Sequence, residues 1–274
     1  MLNESQLIAI KQLQQECEKA DGFQLKLNWE MLREREGRQM DFFYEENGKL
    51  IAFLALYSFG STVEVCGMVK PEERRKGHFT RLWMQALVLI EQYSFETVLL
   101  NAPSSSVAAK MWVSTQPYTY AFSEYQMLWM ERPIEPSDEV ILRVAKPRDA
   151  DLEVLLDVLA FGMDEEDARS HLERIKERTD EQFLMIEADN RTVGKVRVNR
   201  MDGDAWIYGF AVLPEFQGRG YGRKVLRNII KSEHDAGNRV RLEVEAKNDR
   251  ALTLYESVGF VKMQGQDYFR KNKE

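Results

Sequence analysis

The chain has 274 residues, 44% hydrophobic and 30% charged, with a formal net charge of −7. That length holds two domains of ordinary size, each with its own core. The acidic balance argues against a nucleic-acid binder, the apolar runs are too short to span a bilayer, and two cysteines build no disulfide framework.

In chain order, the first ten residues show no basic region leading into a long apolar one, so no secretory signal is expected and a cytoplasmic location is. Arg74-Arg75-Lys76-Gly77-His78-Phe79 precedes a helical stripe, Leu82, Trp83, Ala86 and Leu87. Ser104-Ser105-Ser106 reads as a helix cap, and Tyr118, Tyr120, Phe122, Tyr125 and Trp129 as strand and interface packing. The proline-paired stretch Arg132 to Asp138 reads as a linker. Val140 to Ala145 is strand-like. Asp149 or Asp151 caps a helix to about Leu159, and Glu165 to Arg178 is a charged helix. Phe183 to Glu187 and Val193 to Val198 make a hairpin around Asp189-Asn190-Arg191-Thr192.

The apolar run Ala205 to Leu213 then stops at Pro214 and enters Gln217-Gly218-Arg219-Gly220-Tyr221-Gly222. A helix follows with Val225, Leu226, Ile229 and Ile230 on one side and Arg223, Lys224, Arg227 and Lys231 on the other. Glycines at a helix N-terminus make an anion site, because unblocked amides converge there and missing Cβ atoms allow close approach. The Gly-x-Gly-x-Gly spacing is not the dinucleotide fingerprint, although Glu243 and Glu245 lie near the distance of its acidic partner. Val240 to Val244 reads as a strand, Asn248 to Val258 as a short helix closed by Gly259, and Tyr268 to Arg270 as a last strand.

Gln217-x-x-Gly220-x-Gly222, with Asn248 and Leu254-Tyr255-x-x-x-Gly259-Phe260, resembles the two signatures of the GNAT superfamily of acetyl-CoA-dependent N-acetyltransferases. The resemblance covers residues 140 to 274. Residues 143 positions earlier repeat it: Gln39 meets Gln182, Asn47 meets Asn190, Gly60 meets Gly203, and Pro71, Glu72 and Gly77 meet Pro214, Glu215 and Gly220. This is a tandem duplication, with domains at 1–132 and 140–274 and a linker at 133–139. The first copy departs from the signatures at Phe79, Ser105, Trp112 and Gln116-Pro117, so it is expected to be degenerate and mainly structural.

The resemblance implies a mixed α/β (α+β) fold: two GNAT-like domains, each a twisted, mostly antiparallel sheet with a central splay, flanked by helices. It implies that acetyl-CoA, as co-substrate, is held by Phe210, Ala211, Val212, Gln217, Gly218, Arg219, Gly220, Tyr221, Gly222 and Asn248. The Phe210 N–H becomes the oxyanion donor and Tyr255 the acid for the leaving sulfur. A phenol of pKa about 10 gives its proton to a thiolate of about 8.5 uphill by only a unit or two. By alternation, Trp206, Tyr208, Phe210 and Val212 share one strand face that carries no carboxylate. Tyr208 and Glu243 are the candidates for moving the substrate's proton. His78, His171, His234 and the cysteines have no metal-ligand spacing, so no metal is expected. The expected enzyme is an acyltransferase that moves acetyl to a primary amine, of a small molecule or of a peptide N-terminus, in a ternary complex. It works as a monomer or homodimer with no nucleic-acid or membrane partner. The other reading is a non-catalytic CoA-binding sensor acting through a partner.

Overall fold

A computed structural model describes residues 2–33, 35, 39–93, 95–177 and 181–271. The first copy runs α1 (Glu4–Asp21), α2 (Trp29–Arg33), β1 (Asp41–Glu46), β2 (Lys49–Phe59), β3 (Thr62–Val69), α3 (His78–Gln92), β4 (Thr97–Pro103), α4 (Val107–Val113) and β5 (Tyr118–Trp129). The second opens on β6 (Ile141–Val144) and then repeats that order. Its elements are α5 (Ala150–Phe161), α6 (Glu165–Lys176), β7 (Glu181–Ala188), β8 (Arg191–Met201), β9 (Asp204–Val212), α7 (Tyr221–Asp235), β10 (Arg239–Glu245), α8 (Asp249–Val258) and β11 (Phe260–Lys271). The fold is mixed α/β in two tandem copies, as the 143-residue offset requires. Offset partners share backbone conformation: Gly60 and Gly203 have φ of 60° and 80°, and Gly77 and Gly220 both have 84°.

The chain divides into two compact units, Met1–Ser123 with Gln264–Glu274, and Glu124–Met263. These borders fall inside β5 and β11, so the compact units depart from the linear limits 1–132, 133–139 and 140–274. The cause is strand pairing. Glu124–Leu128 of β5 pair antiparallel with β10 in the second unit, and Gln266–Arg270 of β11 pair antiparallel with β4 in the first. The last strand of each copy therefore belongs, at its paired end, to the other copy's unit. Tyr268–Arg270 do form a strand, but in the first unit.

Within the first unit β1, β2 and β3 pair antiparallel, and β3 pairs parallel with β4 only from Thr62 to Val65. Within the second unit β6 to β9 pair antiparallel, and β9 pairs parallel with β10 only from Asp204 to Ile207. Each middle strand thus parts from its parallel neighbour halfway along, which is the splay. The apolar stripe of α7 packs as its period predicts: Val225, Leu226, Ile229 and Ile230 are buried against Ile207, Val240 and Leu242. Burying one such side chain contributes about 1.5–3 kcal/mol. Leu82, Trp83 and Ala86 play the same part on α3, while Ile10, Leu13 and Cys17 of α1 cover the other face of the first sheet.

Several local expectations change in detail. Asp149 stands at the N-cap of α5, but its carboxylate takes two hydrogen bonds from Arg143 and one from the Lys146 N–H, leaving the helix amides uncapped by it. Helix α6 ends at Lys176, and Arg178 lies outside the described residues. The β7–β8 turn is the pair Asp189-Asn190, both at positive φ, the conformation that suits a two-residue hairpin. Ser106 is the serine that caps α4. The segment Arg132 to Asp138 is pinned in the second unit, where Arg132 donates to the Ser257 carbonyl and the Ser137 N–H donates to Asn228. Among the described residues no helix is long and apolar enough to cross a membrane.

Candidate active site

The glycine loop joins β9 to α7 through a single 3-10 turn, Pro214–Phe216. Gly218 and Gly220 sit at φ of 76° and 84°, and a Cβ on either would meet nothing within 4 Å. The loop therefore needs glycine for its backbone, and the space in front of it is open. No side chain caps α7, so its first-turn amides point into that space with the positive end of the helix dipole. Gln217 donates from Nε2 to the Val212 carbonyl at 2.9 Å, tying the loop to the end of β9. Arg219 donates to the Glu215 carbonyl at 2.9 Å and lies over Phe216. The Tyr221 ring is buried and its hydroxyl donates to Asp189 at 2.5 Å. Such a cradle fits the pyrophosphate of acetyl-CoA.

Gly222 lets α7 approach its neighbours: a Cβ there would lie 3.1 Å from Leu254 and 3.6 Å from the Phe210 ring. Phe210, Ala211 and Val212 occupy the half of β9 beyond its pairing with β10. Asn248 caps α8, accepting from the Ala251 N–H at 3.0 Å, a positioning role for the helix that carries Tyr255. Tyr255 is buried against Phe260, ring edge to face at 5.9 Å. Burial pushes its phenol up to about 12, so the gap to a thiol is wider than the unit or two expected from unperturbed values.

Strand β9 does not keep one face. Its register with β8 shifts between Lys195 and Arg197, and Gly209 has a φ of 54°, which marks a bulge at Gly209-Phe210. The extra residue rephases the strand. Phe210 and Val212 join Ile207 in the core under α7, while Tyr208 stacks on Trp206 and faces the opposite side. The expected shared face of Trp206, Tyr208, Phe210 and Val212 is thus split after Tyr208.

On Tyr208's side, α5, α6 and β7 to β9 line a cavity of about 220 Å³, open to solvent on one side, within the second unit. Tyr208 and Gly209 line it together with Glu153, Asp157, Lys195 and Arg197. Arg197 lies 4.8 Å above the Tyr208 ring. These four charged residues were not singled out from the sequence. Lys195 and Arg197 do stand two apart in an apolar strand, but their carboxylate partners come from other elements, Asp157 of α5 and Glu181 of β7. His171, read from the sequence only as an isolated histidine, lines the same cavity. Glu243, on β10, accepts from Gln126 at 2.8 Å and is not among the residues lining the cavity.

In the first unit the loop keeps its shape, and a Cβ on Gly77 would likewise meet nothing within 4 Å. Arg74 donates to the Val69 carbonyl at 3.0 Å, as Gln217 does to Val212, and Arg75 and Gly77 have φ of 66° and 84°. Phe79 replaces Gly222, and its ring stands so close to Gly67 that a Cβ there would meet it at 2.8 Å. Trp112, at the position of Tyr255, packs edge-on against Phe79 at 4.6 Å and donates to Thr80.

The profile of the acetyltransferase (GNAT) family matches residues 7–111 and 152–260. The N-alpha-acetyltransferase RimI of Mycobacterium tuberculosis is 46% identical over 54 residues, 20% of this chain and 33% of that protein, so the chain spans a third of that relative's length. A GCN5-related N-acetyltransferase from Sphaerobacter thermophilus has a TM-score of 0.78 at 21% identity, over 96% of this chain and 91% of that one. A tandem GNAT protein from the clavulanic acid biosynthesis pathway has a TM-score of 0.72 at 12% identity, over 99% of this chain and 97% of that one. At these identities the likeness is one of fold.

Proposed function

The chain belongs to the acetyltransferase (GNAT) family, and from that premise we propose that its second copy transfers acetyl from acetyl-CoA to a primary amine in a ternary complex. The observation that carries this reading is the early end of β9–β10 pairing, which leaves Phe210 to Val212 beside an uncapped, glycine-lined helix N-terminus. The co-substrate supplies an activated thioester. Gly218 to Gly222 hold its pyrophosphate through main-chain N–H groups, and the divergent half of β9 aligns its arm. The amine nitrogen attacks the acetyl carbon, the C–S bond breaks, and amide and thiol result. The Phe210 N–H donates to the carbonyl oxygen as negative charge builds there. Tyr255 donates to the sulfur. Its phenol is held protonated, and apolar surroundings that raise a phenol also raise a thiol, so the proton follows as charge develops. Of the two candidates for the amine's proton, Tyr208 lines the cavity and takes the role, relaying through water to solvent. The acceptor is a small molecule, with the N-terminus of a peptide as the other class.

Calorimetry with acetyl-CoA tests the site. Gly220→Glu places a carboxylate where the pyrophosphate would lie and strains a residue at φ of 84°, so binding should be lost. Gly220→Ala carries the same backbone strain without the charge and should keep measurable affinity. Equal affinity of a folded Gly220→Glu protein and the parent would refute the assignment.

A further inference from the structure

Acetyl transfer needs only a neutral amine beside the acetyl carbon, yet the cavity of the second unit is ringed by opposed charges. Helix α5 presents Glu153 and Asp157, one turn apart and 1% and 6% exposed. Strand β8 presents Lys195 and Arg197, two apart and so on one face. Lys195 lies 2.6 Å from Asp157, Arg197 lies 2.5 Å from Glu181, and Lys176 closes on Glu153. His171 adds no charge at neutral pH, because burial and the neighbouring cations Arg174, Arg197 and Lys195 lower its pKa to about 4. Two lining carboxylates therefore face two lining cations. The rest of the wall is apolar: Phe161, Met163, Leu172, Ile175 and Phe183.

A balanced lining discriminates among amines. A zwitterion brings no net charge, and each of its poles finds an opposite one. Arg197 can serve the negative pole, since its guanidinium has five donors in a rigid fork and, among the described residues, Nη1 is the one that donates to a carboxylate, that of Glu181. The Tyr208 ring beneath it fixes the plane of that fork. A carboxylate held there places an α-amine two bonds from its carbon, beside Tyr208 and Gly209, next in sequence to the Phe210 N–H.

We propose that the acceptor is a free α-amino acid with an apolar side chain. Its carboxylate is held by Arg197 and Lys195, its amine faces the Tyr208–Gly209 bulge, and its side chain enters the wall formed by Phe161, Leu172 and Phe183. The proposal rests on acetyl transfer at this site, and two readouts separate the two ideas. The first is binding to the full chain without acetyl-CoA, comparing leucine with leucinamide by calorimetry. The free acid should bind at least tenfold more tightly, and equal binding overturns the proposal whatever the turnover. The second is thiol release from acetyl-CoA with leucine, methionine and phenylalanine, their amides, their decarboxylated amines, spermidine, and a peptide with N-terminal alanine. The free acids should lead the amides by tenfold or more in kcat/KM. Faster turnover of amides, peptide or spermidine would overturn the substrate class while leaving acetyl transfer intact. Binding selectivity without thiol release from any amine would instead count against acetyl transfer. Arg197→Gln alone takes a cation from the covered Glu181 carboxylate, so the double variant Arg197→Gln/Glu181→Gln is the cleaner probe. The ratio of acid to amide binding should fall at least tenfold in it, and an unchanged ratio would overturn the assignment of Arg197.

Discussion

Burial raises the Tyr255 phenol to about 12 and lowers the His171 imidazole to about 4, because phenolate and imidazolium each lose water in the fold. Tyr255 therefore carries its proton throughout the working range, and it should contribute no basic limb to kcat/KM below about pH 11. Tyr255→Phe keeps the packing against Phe260 and removes the donor. We expect kcat to fall on the order of 10²-fold with little change in acetyl-CoA affinity, measured by steady-state kinetics and calorimetry. A basic limb near pH 10 that vanishes in Tyr255→Phe would show the phenol at its ordinary value. For His171 the sign runs the other way. The unfolded chain takes up a proton near pH 6.5 and the folded one only near 4, so this residue's stabilisation is complete above 6.5 and is lost as pH falls through 4. Denaturant unfolding at pH 7 and pH 4.5 should show a smaller loss of stability on acidification in His171→Asn than in the parent. Equal losses would mean that His171 titrates normally in the fold.

At the scale of elements, the two glycine loops differ by one exchange of sizes. In the second unit the ring comes from the strand, Phe210, and the gap from the helix, Gly222; in the first the ring comes from the helix, Phe79, and the gap from the strand, Gly67. Phe79 lies over Gly67, in the half of β3 beyond its pairing with β4, and Trp112 packs edge-on against it. One acetyl-CoA per chain should bind in calorimetric titration, and Trp112→Phe should lower the melting temperature without lowering turnover. A stoichiometry of two, or turnover lost in a stable Trp112→Phe protein, would place a working site in the first copy. Loop, stripe and repeat were legible in the sequence because each is local: a glycine spacing, a 3.6-residue period, a constant offset. The bulge at Gly209 was not, since one glycine in an apolar run does not reveal where the neighbouring strand slips register. The cavity was hidden for a related reason. Asp157 and Lys195 meet at 2.6 Å but are separated by the end of α5, all of α6 and β7, and the start of β8.

For the whole molecule, the least legible feature was the exchange of last strands, because antiparallel pairing carries no mark of which copy supplies the partner. It alters what a truncated protein should do. Residues 137–274 alone contain every element of the second sequence copy, and on a linear division they would fold as a domain. The second compact unit, however, draws Glu124–Leu128 into its sheet beside β10. Met127 and Trp129 enter its core, where the Trp129 indole donates to the Val258 carbonyl at 3.0 Å. Met130, the next residue, is exposed. Losing the side chains of Met127 and Trp129 alone should cost about 5 kcal/mol or more, comparable with the whole stability of a small domain. The same fragment carries Gln266–Arg270 without β4, an unpaired strand that would uncover Tyr268 and Phe269 and is suited to aggregation. We therefore expect residues 137–274 to melt well below the full chain, to aggregate, and to lose most of their turnover. Residues 118–274, which restore β5, should recover much of the lost stability. Thermal melts and thiol-release assays on both fragments decide the point. If the shorter fragment proved as stable and active as the intact chain, β10 would not need the first copy's strand, and the exchanged pairing would carry no weight in holding the active unit together.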